Sequence, residues 1–349
     1  MKIVHVLFNM KTGGTETMLI DIANRQLAEG DTPVVLLINE GQDASLLDTL
    51  DERIERVFLH RPTGSKNPLW LLRYARALCR LNPDIVHMHN PRALGMLYGP
   101  RKYKVVCTYH CCGDPNPWAA RADAMCAISR AVADDAAGRD NCRPEIIYNG
   151  TDTSRIGRRH AGGLSAHPRL IQIGSLNHNI KGQHITLQAL ARMRHCDATV
   201  DFFGDGASRP MLEAMAGELG LTDRVTFHGI VSRRELYQAL PTFDVALLPS
   251  LNEGFGLALT EPMAARVPVV ASDLPGPMEI LRADGRVYGS TCRPGDADSL
   301  ADAIDAILDD YDAALDTAAA ATDRVLGHFD ISATVAAYRK LYDNLIQQH

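Results

Sequence analysis

Short apolar runs alternate with amphipathic segments along the whole chain, a pattern that predicts alternating β-strands and α-helices. Residues 15–28, for example, carry apolar side chains at helical spacing soon after the apolar run 2–8. The strands predicted in the first half are residues 2–8, 34–38, 54–59, 84–87, 104–109, 124–127 and 145–148, with further helices at 69–81 and 129–137. Buried strands that alternate with helices indicate a parallel, doubly wound sheet.

The same alternation starts again after residues 150–168, which have little periodicity, are rich in Gly, Arg and His, and are interpreted as a linker. Strands are then predicted at 170–173, 199–203, 225–227, 245–248 and 267–271, and helices at about 182–194, 210–219, 233–240, 257–265, 296–308 and 331–347. We therefore predict an α/β protein with two Rossmann-like domains, residues 1–155 and 168–328. Ligands of open parallel sheets bind beyond the carboxyl ends of the strands, so a site is expected in a central cleft between the domains.

Length and charge narrow the possible functions. The 349 residues suit two domains of similar size, and a net charge of −6 argues against general nucleic-acid binding. The charge is uneven, because residues 53–104 contain eleven Lys or Arg and only two acidic residues. This basic segment either faces anionic lipid head groups or a phosphorylated acceptor, or is an ordinary solvated surface.

The sequence contains no signal peptide and no apolar run near eighteen residues, so we expect a protein that is neither exported nor membrane-spanning. Its eight cysteines follow no zinc-binding or disulfide spacing and are interpreted as reduced thiols. The expected location is the cytoplasm, with a peripheral contact at the inner face of the membrane through the basic N-terminal domain.

Residues 253–261, Glu-Gly-Phe-Gly-Leu-Ala-Leu-Thr-Glu, form the most informative segment of the chain. Two carboxylates bracket a glycine-rich turn that leads into a predicted helix. The N–H groups at a helix start favour an anion, and carboxylates accept hydrogen bonds from hydroxyl groups. Phosphates and hydroxyls together describe a sugar nucleotide, although Glu-Gly turns before helices are common in general.

Three other strand-to-helix turns carry glycine or lysine: residues 11–16, 174–182 and 204–206. Paired glycines let a backbone approach a phosphate or sugar, and Lys181 offers a point charge to a diphosphate. Taken singly, these features also fit a plain tight turn and an exposed loop lysine. None of the turns matches the Gly-x-Gly-x-x-Gly dinucleotide fingerprint, so NAD binding is weakly supported. His110 ends the predicted strand 104–109, where a histidine is either structural or part of a site.

These motifs also occur in a characteristic order. The ordered segments are residues 13–16, 84–90, 108–110, 147–152, 181–182, 204–206, 228–231, 249–250, 253–261 and 268–272. The set resembles the retaining glycosyltransferases of family 4, which have the GT-B architecture, and the resemblance covers nearly the whole chain. It implies that a C-terminal helix, residues 329–349, crosses back to the N-terminal domain.

In the second domain the resemblance implies a donor site with no metal or other cofactor, because the nucleotide sugar is the donor substrate. Glu261 would accept hydrogen bonds from the ribose hydroxyls, and Glu253 would hold sugar hydroxyls and stabilise positive charge at the anomeric carbon. Lys181 would neutralise the leaving diphosphate, a task that other folds often give to a metal. Backbone N–H groups of Phe255, Gly256 and Leu257 would contact the sugar or diphosphate, and Ile230 and Val231 would flank the base.

In the first domain the resemblance implies that the turn at Gly13 and Gly14 closes on the donor and that His110 contacts the donor sugar. Three departures from the family pattern stand in the second domain. Ser175 replaces a usual Arg, which removes a second cation from the diphosphate, and Arg209 would have to supply that charge instead. Pro262 replaces a usual Ala, which predicts a helix that starts late with Glu261 near its amino end. Arg266 stands where Gly is frequent.

The function expected from these residues is a metal-independent transfer, with retention, of a sugar from a UDP-sugar to a lipid-linked or envelope polysaccharide precursor. Two alternatives remain open: a sugar-nucleotide epimerase of the same architecture, and a non-catalytic sugar-nucleotide-binding protein, which the missing Arg at Ser175 favours. A dehydrogenase is the least supported class, because the fingerprint is absent.

Overall fold

The computed structural model describes residues 1–11, 13–159 and 163–347 and divides into two compact units. The first unit contains residues 1–150 together with the C-terminal segment that begins at Ile331, and the second contains residues 151–330. Residues 151–155, which the sequence placed in the first domain, therefore lie in the second unit. Thr151 is held there by its N–H, which donates to Phe329 O at 2.8 Å.

The first unit is built on a seven-stranded sheet in which all neighbours are parallel, in the order β3-β2-β1-β4-β5-β6-β7. Its strands are β1 Lys2–Leu7, β2 Thr32–Asn39, β3 Glu55–Arg61, β4 Ile85–Met88, β5 Lys104–Tyr109, β6 Ala124–Ala127 and β7 Glu145–Ile146. Its first helices are α1 Gly14–Ala28, α2 Ala44–Leu47, α3 Leu69–Leu81 and α4 Arg130–Asp140. β1, β2, β4 and β5 are almost wholly buried, as their continuous apolar runs predict.

The second unit repeats this arrangement with a six-stranded parallel sheet in the order β10-β9-β8-β11-β12-β15, beside a short antiparallel ribbon of β13 and β14. Its strands are β8 Arg169–Ile173, β9 Thr199–Phe203, β10 Val225–Gly229, β11 Val245–Leu248, β12 Val269–Ser272, β13 Arg282–Ala283, β14 Arg286–Val287 and β15 Ser290–Cys292. Its helices are α5 His178–Lys181, α6 Gln183–Leu190, α7 Arg209–Glu218, α8 Arg233–Ala239, α9 Leu257–Ala264, α10 Pro275–Leu281, α11 Ala297–Asp309 and α12 Tyr311–His328.

The last helix, α13 Ile331–Gln347, belongs to the first unit and packs against α1. Thr334 Oγ1 donates to Tyr148 O at 2.9 Å, and the buried Tyr338 and Tyr342 reach the sheet. Residues more than 200 positions apart in sequence thus complete the core of the first unit. Within the described residues, no helix is long and apolar enough to cross a membrane.

The strand order reverses at one point in each sheet, between β1 and β4 in the first unit and between β8 and β11 in the second. The connections after these neighbouring strands run to opposite sides, which leaves a crevice at their carboxyl ends. The sequence motifs that contain candidate binding residues follow these strands. The strand order therefore determines which of these residues lie close together.

Candidate donor site and histidine cluster

Lys181 and Glu253 form an ion pair at the switch point of the second unit. Lys181 ends α5 after β8, and Glu253 lies in the loop after the neighbouring β11. Lys181 Nζ donates to Glu253 Oε2 at 2.7 Å, with 24% and 14% of the two side chains exposed. The fold therefore brings together two groups that stand 72 positions apart, and both remain accessible from solvent.

Two linked hydrogen bonds fix the backbone at Lys181. Gln172 Nε2 donates to Lys181 O at 2.7 Å, while Gln172 Oε1 accepts from Thr186 Oγ1 at 2.7 Å. Gly182 ends α5 in the left-handed region with φ of 69°, and a Cβ there would lie 2.1 Å from Pro249 O. The turn at Gly182 separates the short α5 from α6, which covers most of the helix predicted at 182–194, and it directs Lys181 toward the loop after β11.

The loop that carries Glu253 is also closely packed. A Cβ on Gly276 would lie 2.6 Å from Glu253 O, so α10 can approach the loop only because residue 276 is glycine. Gly256 has φ of 119° and is the N-cap of α9, and it offers no side chain to accept from the first-turn N–H groups. The Phe255 side chain is buried, with its ring centroid 5.6 Å from that of Phe329.

Glu261 lies deeper, on α9, and is only 8% exposed. Its Oε1 accepts from the Tyr237 hydroxyl at 3.0 Å and lies 3.5 Å from Arg233 Nη2. Both partners stand on α8, whose start is fixed by a capping box between Ser232 and Glu235. Ile230 and Val231 lie in the short segment between β10 and α8, and Ile230 is exposed.

The remaining predicted residues, Gly13, Gly14 and His110, lie in the first unit. Gly13 is the N-cap of α1, and a Cβ on Gly14 would meet no described atom within 4 Å. The carboxylate of Glu16 lies over this turn, and burial raises its pKa. His110 directly follows β5 and is half-buried. The candidate residues thus form two groups, one at the carboxyl ends of each sheet.

His110 is the outermost member of a hydrogen-bonded histidine cluster made of His5, His87, His89 and His110. His110 Nε2 lies 3.1 Å from His89 Nδ1, and His89 Nε2 lies 3.0 Å from His5 Nδ1. Burial lowers the pKa of His5 and of His110 to about 4 and the pKa values of His87 and His89 well below their usual range. All four rings are therefore neutral near pH 7.

Comparison with known proteins identifies the family. The family model for Glycosyltransferase Family 4 matches residues 12–155, and the model for Glycosyl transferases group 1 matches residues 161–324, so the two span most of the chain. The chain belongs to the family 4 glycosyltransferases. The predicted family and its GT-B fold are therefore confirmed.

Curated relatives of this family 4 chain act in several branches of carbohydrate chemistry. A phosphatidyl-myo-inositol mannosyltransferase of Mycobacterium leprae is 31% identical over 253 residues, which cover 64% of each protein. A glycogen synthase of Mycobacterium tuberculosis is 31% identical over 202 residues, or 56% of this chain and 47% of the synthase. The chain spans about half the length of most curated relatives that it matches.

Solved structures agree with the fold. A glycosyltransferase from Rickettsia africae superposes with a TM-score of 0.82 at 19% identity, covering 100% of this chain and 99% of the other. Anabaena HepE, solved in complex with UDP and glucose, gives 0.81 at 22% identity, covering 99% and 100%. At these identities the likeness establishes the GT-B fold.

The structure corrects one expectation about this family 4 chain. α9 does not start late: it begins at Leu257, so Glu261 is its fifth residue and Pro262 its sixth. Proline at that position cannot donate to Ala258 O, yet the helix continues to Ala264 because its apolar face is buried. Arg266, just after the helix, has φ of 61°, which explains why glycine suits this position.

Ser175, which replaces the usual Arg of the family, and Arg209 both have hydrogen-bond partners within the second unit. Ser175 O accepts from Gln183 Nε2 at 2.9 Å. Arg209 Nε donates to Glu213 Oε1 at 2.8 Å, and its Nη2 donates to Phe227 O at 3.3 Å. The described contacts do not link Arg209 to Lys181, so its proposed substitution for the absent Arg remains a prediction.

Sequence reasoning missed Arg233 and Tyr237, which hold the Glu261 carboxylate. Their spacing of four residues, just after Ile230 and Val231, was the only available signal. The histidine cluster was not predicted either, because only His110 was singled out in the sequence. The partners of these side chains come from distant segments, such as Tyr342 for His87 at 2.7 Å.

Three members of the histidine cluster are close enough to hold a metal ion, since His5, His87 and His89 have ligand atoms within 4.8 Å of one another. All six of their ring nitrogens already have hydrogen-bond partners among the described residues. Binding an ion through one nitrogen of each ring would break at least two of these hydrogen bonds. The arrangement is therefore better satisfied as a hydrogen-bond network.

Proposed function

We propose that this chain transfers a sugar from a nucleotide diphosphate sugar to a hydroxyl-bearing acceptor with retention at the anomeric carbon. The observation that carries the proposal is the pairing of Lys181 with Glu253 at the switch point of the second sheet. A cation and a carboxylate 2.7 Å apart provide complementary contacts for a diphosphate and for sugar hydroxyls.

In the proposed reaction Lys181 stabilises the negative charge that develops on the leaving diphosphate, so the mechanism requires no metal ion. Glu253 holds sugar hydroxyls and stabilises positive charge at the anomeric carbon as the bond to the diphosphate breaks. Glu261, oriented by Tyr237 and Arg233, accepts hydrogen bonds from the ribose hydroxyls. The first-turn N–H groups of α9 lie next to Glu253 and suit the same anionic ligand.

UDP is the nucleotide that we propose for the donor. This choice is supported by HepE, which has been solved with UDP and with UDP-glucose. For the acceptor we propose a lipid-linked or envelope saccharide, supported by the relative that is named a phosphatidyl-myo-inositol mannosyltransferase. The corresponding location is the cytoplasm, at the inner face of the membrane.

The basic segment of the first unit offers a surface for such a membrane contact. Helix α3 exposes Leu69 and Leu72, 57% and 64% accessible, beside the exposed cations Arg73 and Arg76. Apolar and basic side chains on one exposed helix surface suit anionic lipid head groups. We propose that this surface brings the protein to its acceptor.

The activity is tested by incubating the protein with UDP-, GDP- and ADP-sugars, with and without extracted lipid acceptors, in the presence of EDTA. The proposal predicts acceptor-dependent release of UDP and a product that keeps the anomeric configuration of the donor. Interconversion of the sugar without acceptor would instead indicate an epimerase, and tight binding without turnover a non-catalytic protein. Loss of activity in EDTA would contradict the metal-independent mechanism.

The membrane contact is tested separately by flotation with vesicles that contain anionic lipid. Leu72→Glu is expected to reduce binding severalfold, and raised salt is expected to weaken binding of the unmodified protein. The matched control is Met211→Glu, which changes an exposed apolar residue of the second unit. Equal binding by the unmodified protein, Leu72→Glu and Met211→Glu would contradict a membrane contact at this surface. Binding that does not change with salt concentration would contradict it as well.

A further inference from the structure

The histidine cluster contains a continuous chain of hydrogen bonds that begins at the side-chain amide of Gln26. An amide oxygen can only accept a hydrogen bond and an amide nitrogen can only donate one. Gln26 Oε1 lies 2.7 Å from His5 Nε2. Burial raises the pKa of Tyr342, and a hydrogen bond from Gln26 acts in the opposite direction, as expected when an amide N–H donates to the phenolic oxygen. The two contacts agree on one orientation of Gln26, with its oxygen toward His5.

This orientation of Gln26 determines which ring nitrogen carries the proton in His5, His89 and His110. An amide oxygen only accepts, so His5 carries its proton on Nε2. The ring is neutral, which leaves His5 Nδ1 as the acceptor for His89 Nε2–H at 3.0 Å. His89 Nδ1 is then the acceptor for His110 Nε2–H at 3.1 Å.

The last ring therefore presents a lone pair. His110 has its proton on Nε2, and the described residues provide no hydrogen-bond partner for Nδ1. His110 directly follows β5, at the edge of the sheet where the fold places ligands. A bare ring nitrogen accepts from a hydroxyl group and repels the oxygen atoms of a phosphate, which are also acceptors.

We propose that Gln26, His5 and His89 are positioning residues that set the tautomer of His110, so that its Nδ1 accepts a hydrogen bond from a substrate hydroxyl. The hydroxyl assignment rests on the proposed function, whereas the tautomer follows from the hydrogen-bond chain alone. In the second branch of the cluster, His87 Nδ1 lies 2.7 Å from the Tyr342 hydroxyl and His87 Nε2 lies 2.8 Å from Thr108 Oγ1. The proposal assigns the same order here, with Tyr342 as donor to Nδ1 and Nε2–H as donor to Thr108.

The tautomers are measured directly in the intact protein labelled with ¹⁵N-histidine, by long-range ¹H–¹⁵N correlation at pH 7.5. His110→Gln identifies the signals of His110. The proposal predicts that all four cluster histidines carry the proton on Nε2. A proton on Nδ1 of His110 would show that Gln26 has the reverse orientation and would overturn the proposal.

The role of Gln26 is tested with Gln26→Leu, which removes the fixed acceptor for His5. Its expected effect is a mixture of the two His110 tautomers, seen as averaged nitrogen shifts. Thr108→Val is the matched control, because the Thr108 hydroxyl contacts His87 and Tyr338 and forms no part of the chain from Gln26 through His5 and His89 to His110. An unchanged His110 spectrum in a folded Gln26→Leu protein would contradict the positioning role.

The link to substrate is tested by titrating UDP and UDP-sugars into the same variants. Gln26→Leu is expected to weaken a UDP-sugar about 2–10-fold, the range for one neutral hydrogen bond, and to leave UDP alone unchanged. Equal losses for both ligands would contradict a hydroxyl contact at His110. If no sugar nucleotide binds to the unmodified protein, the proposed function fails, and the tautomer experiment still decides the inference.

Discussion

Acidification should destabilise the first unit, because its histidine cluster is buried in the neutral form. Burial holds the pKa of His5 at about 4, against 6.5 for an exposed histidine. Between these two values the unfolded chain binds a proton that the folded protein does not bind. The free energy of unfolding therefore falls as the pH is lowered from about 6.5 to about 4.

His5 alone accounts for a substantial loss. Its two pKa values differ by about 2.5, and at about 1.4 kcal/mol for each pH unit the cost reaches about 3 kcal/mol at pH 4. His110 acts in the same direction, as do His87 and His89, whose pKa values lie well below the usual range. Against a typical total stability of about 5–15 kcal/mol, this loss is large enough to unfold the unit in mild acid.

Tryptophan fluorescence isolates this unit, since both tryptophans of the chain, Trp70 and Trp118, lie in it. Urea unfolding at a series of pH values should give a stability that falls steeply below pH 6.5. The His5→Gln variant should have a slope lower by about 1.4 kcal/mol per pH unit, whereas His60→Asn, at an exposed position, should leave the slope unchanged. Equal stability of the unmodified protein at pH 5 and pH 7.5, or a full slope in His5→Gln, would contradict a buried neutral His5.

Two backbone positions of the second unit give further predictions. Arg266→Gly should raise the free energy of unfolding by about 0.5–1 kcal/mol, since it removes the cost of a left-handed conformation, and Arg266→Ala should give no such gain. Urea titration followed by circular dichroism measures both. Gly204→Ala should be strongly destabilising, by more than about 2 kcal/mol, because its Cβ would lie 2.1 Å from Gly174 O at φ of 133°. The control is Gly217→Ala on α7, where a Cβ meets no described atom within 4 Å; a similar loss in both variants would refute the close-contact explanation.

The fold was largely predictable because its strands are short apolar runs with clear helical periods between them. β15 was missed, since Ser290, Thr291 and Cys292 carry no apolar alternation and pair only with β12. α12 was missed as well, because its many alanines give little contrast between faces. The late start expected for α9 was wrong because proline propensity was weighed without the burial of that helix.

The candidate site was predictable only where a motif is local in sequence. Residues 253–261 identified Glu253 and Glu261, but not which cations they meet. Lys181 contacts Glu253 because β8 and β11 are neighbours in the sheet. Arg233 on α8 reaches Glu261 on α9 through its long side chain. The tautomer order of the histidine cluster depends on side chains from four segments, which no single stretch of sequence reveals.

Lys181 is proposed to bind the diphosphate of a sugar nucleotide beside Glu253. Isothermal titration of UDP into the unmodified protein and into Lys181→Met measures this contact. Arg192→Met serves as the control, because it removes an exposed cation of the same unit that pairs with Asp298. Lys181→Met is expected to weaken UDP binding about 10–100-fold, as for the loss of one charge-assisted contact, while Arg192→Met should bind normally. Equal affinity of the unmodified protein and folded Lys181→Met would contradict a contact between Lys181 and the diphosphate.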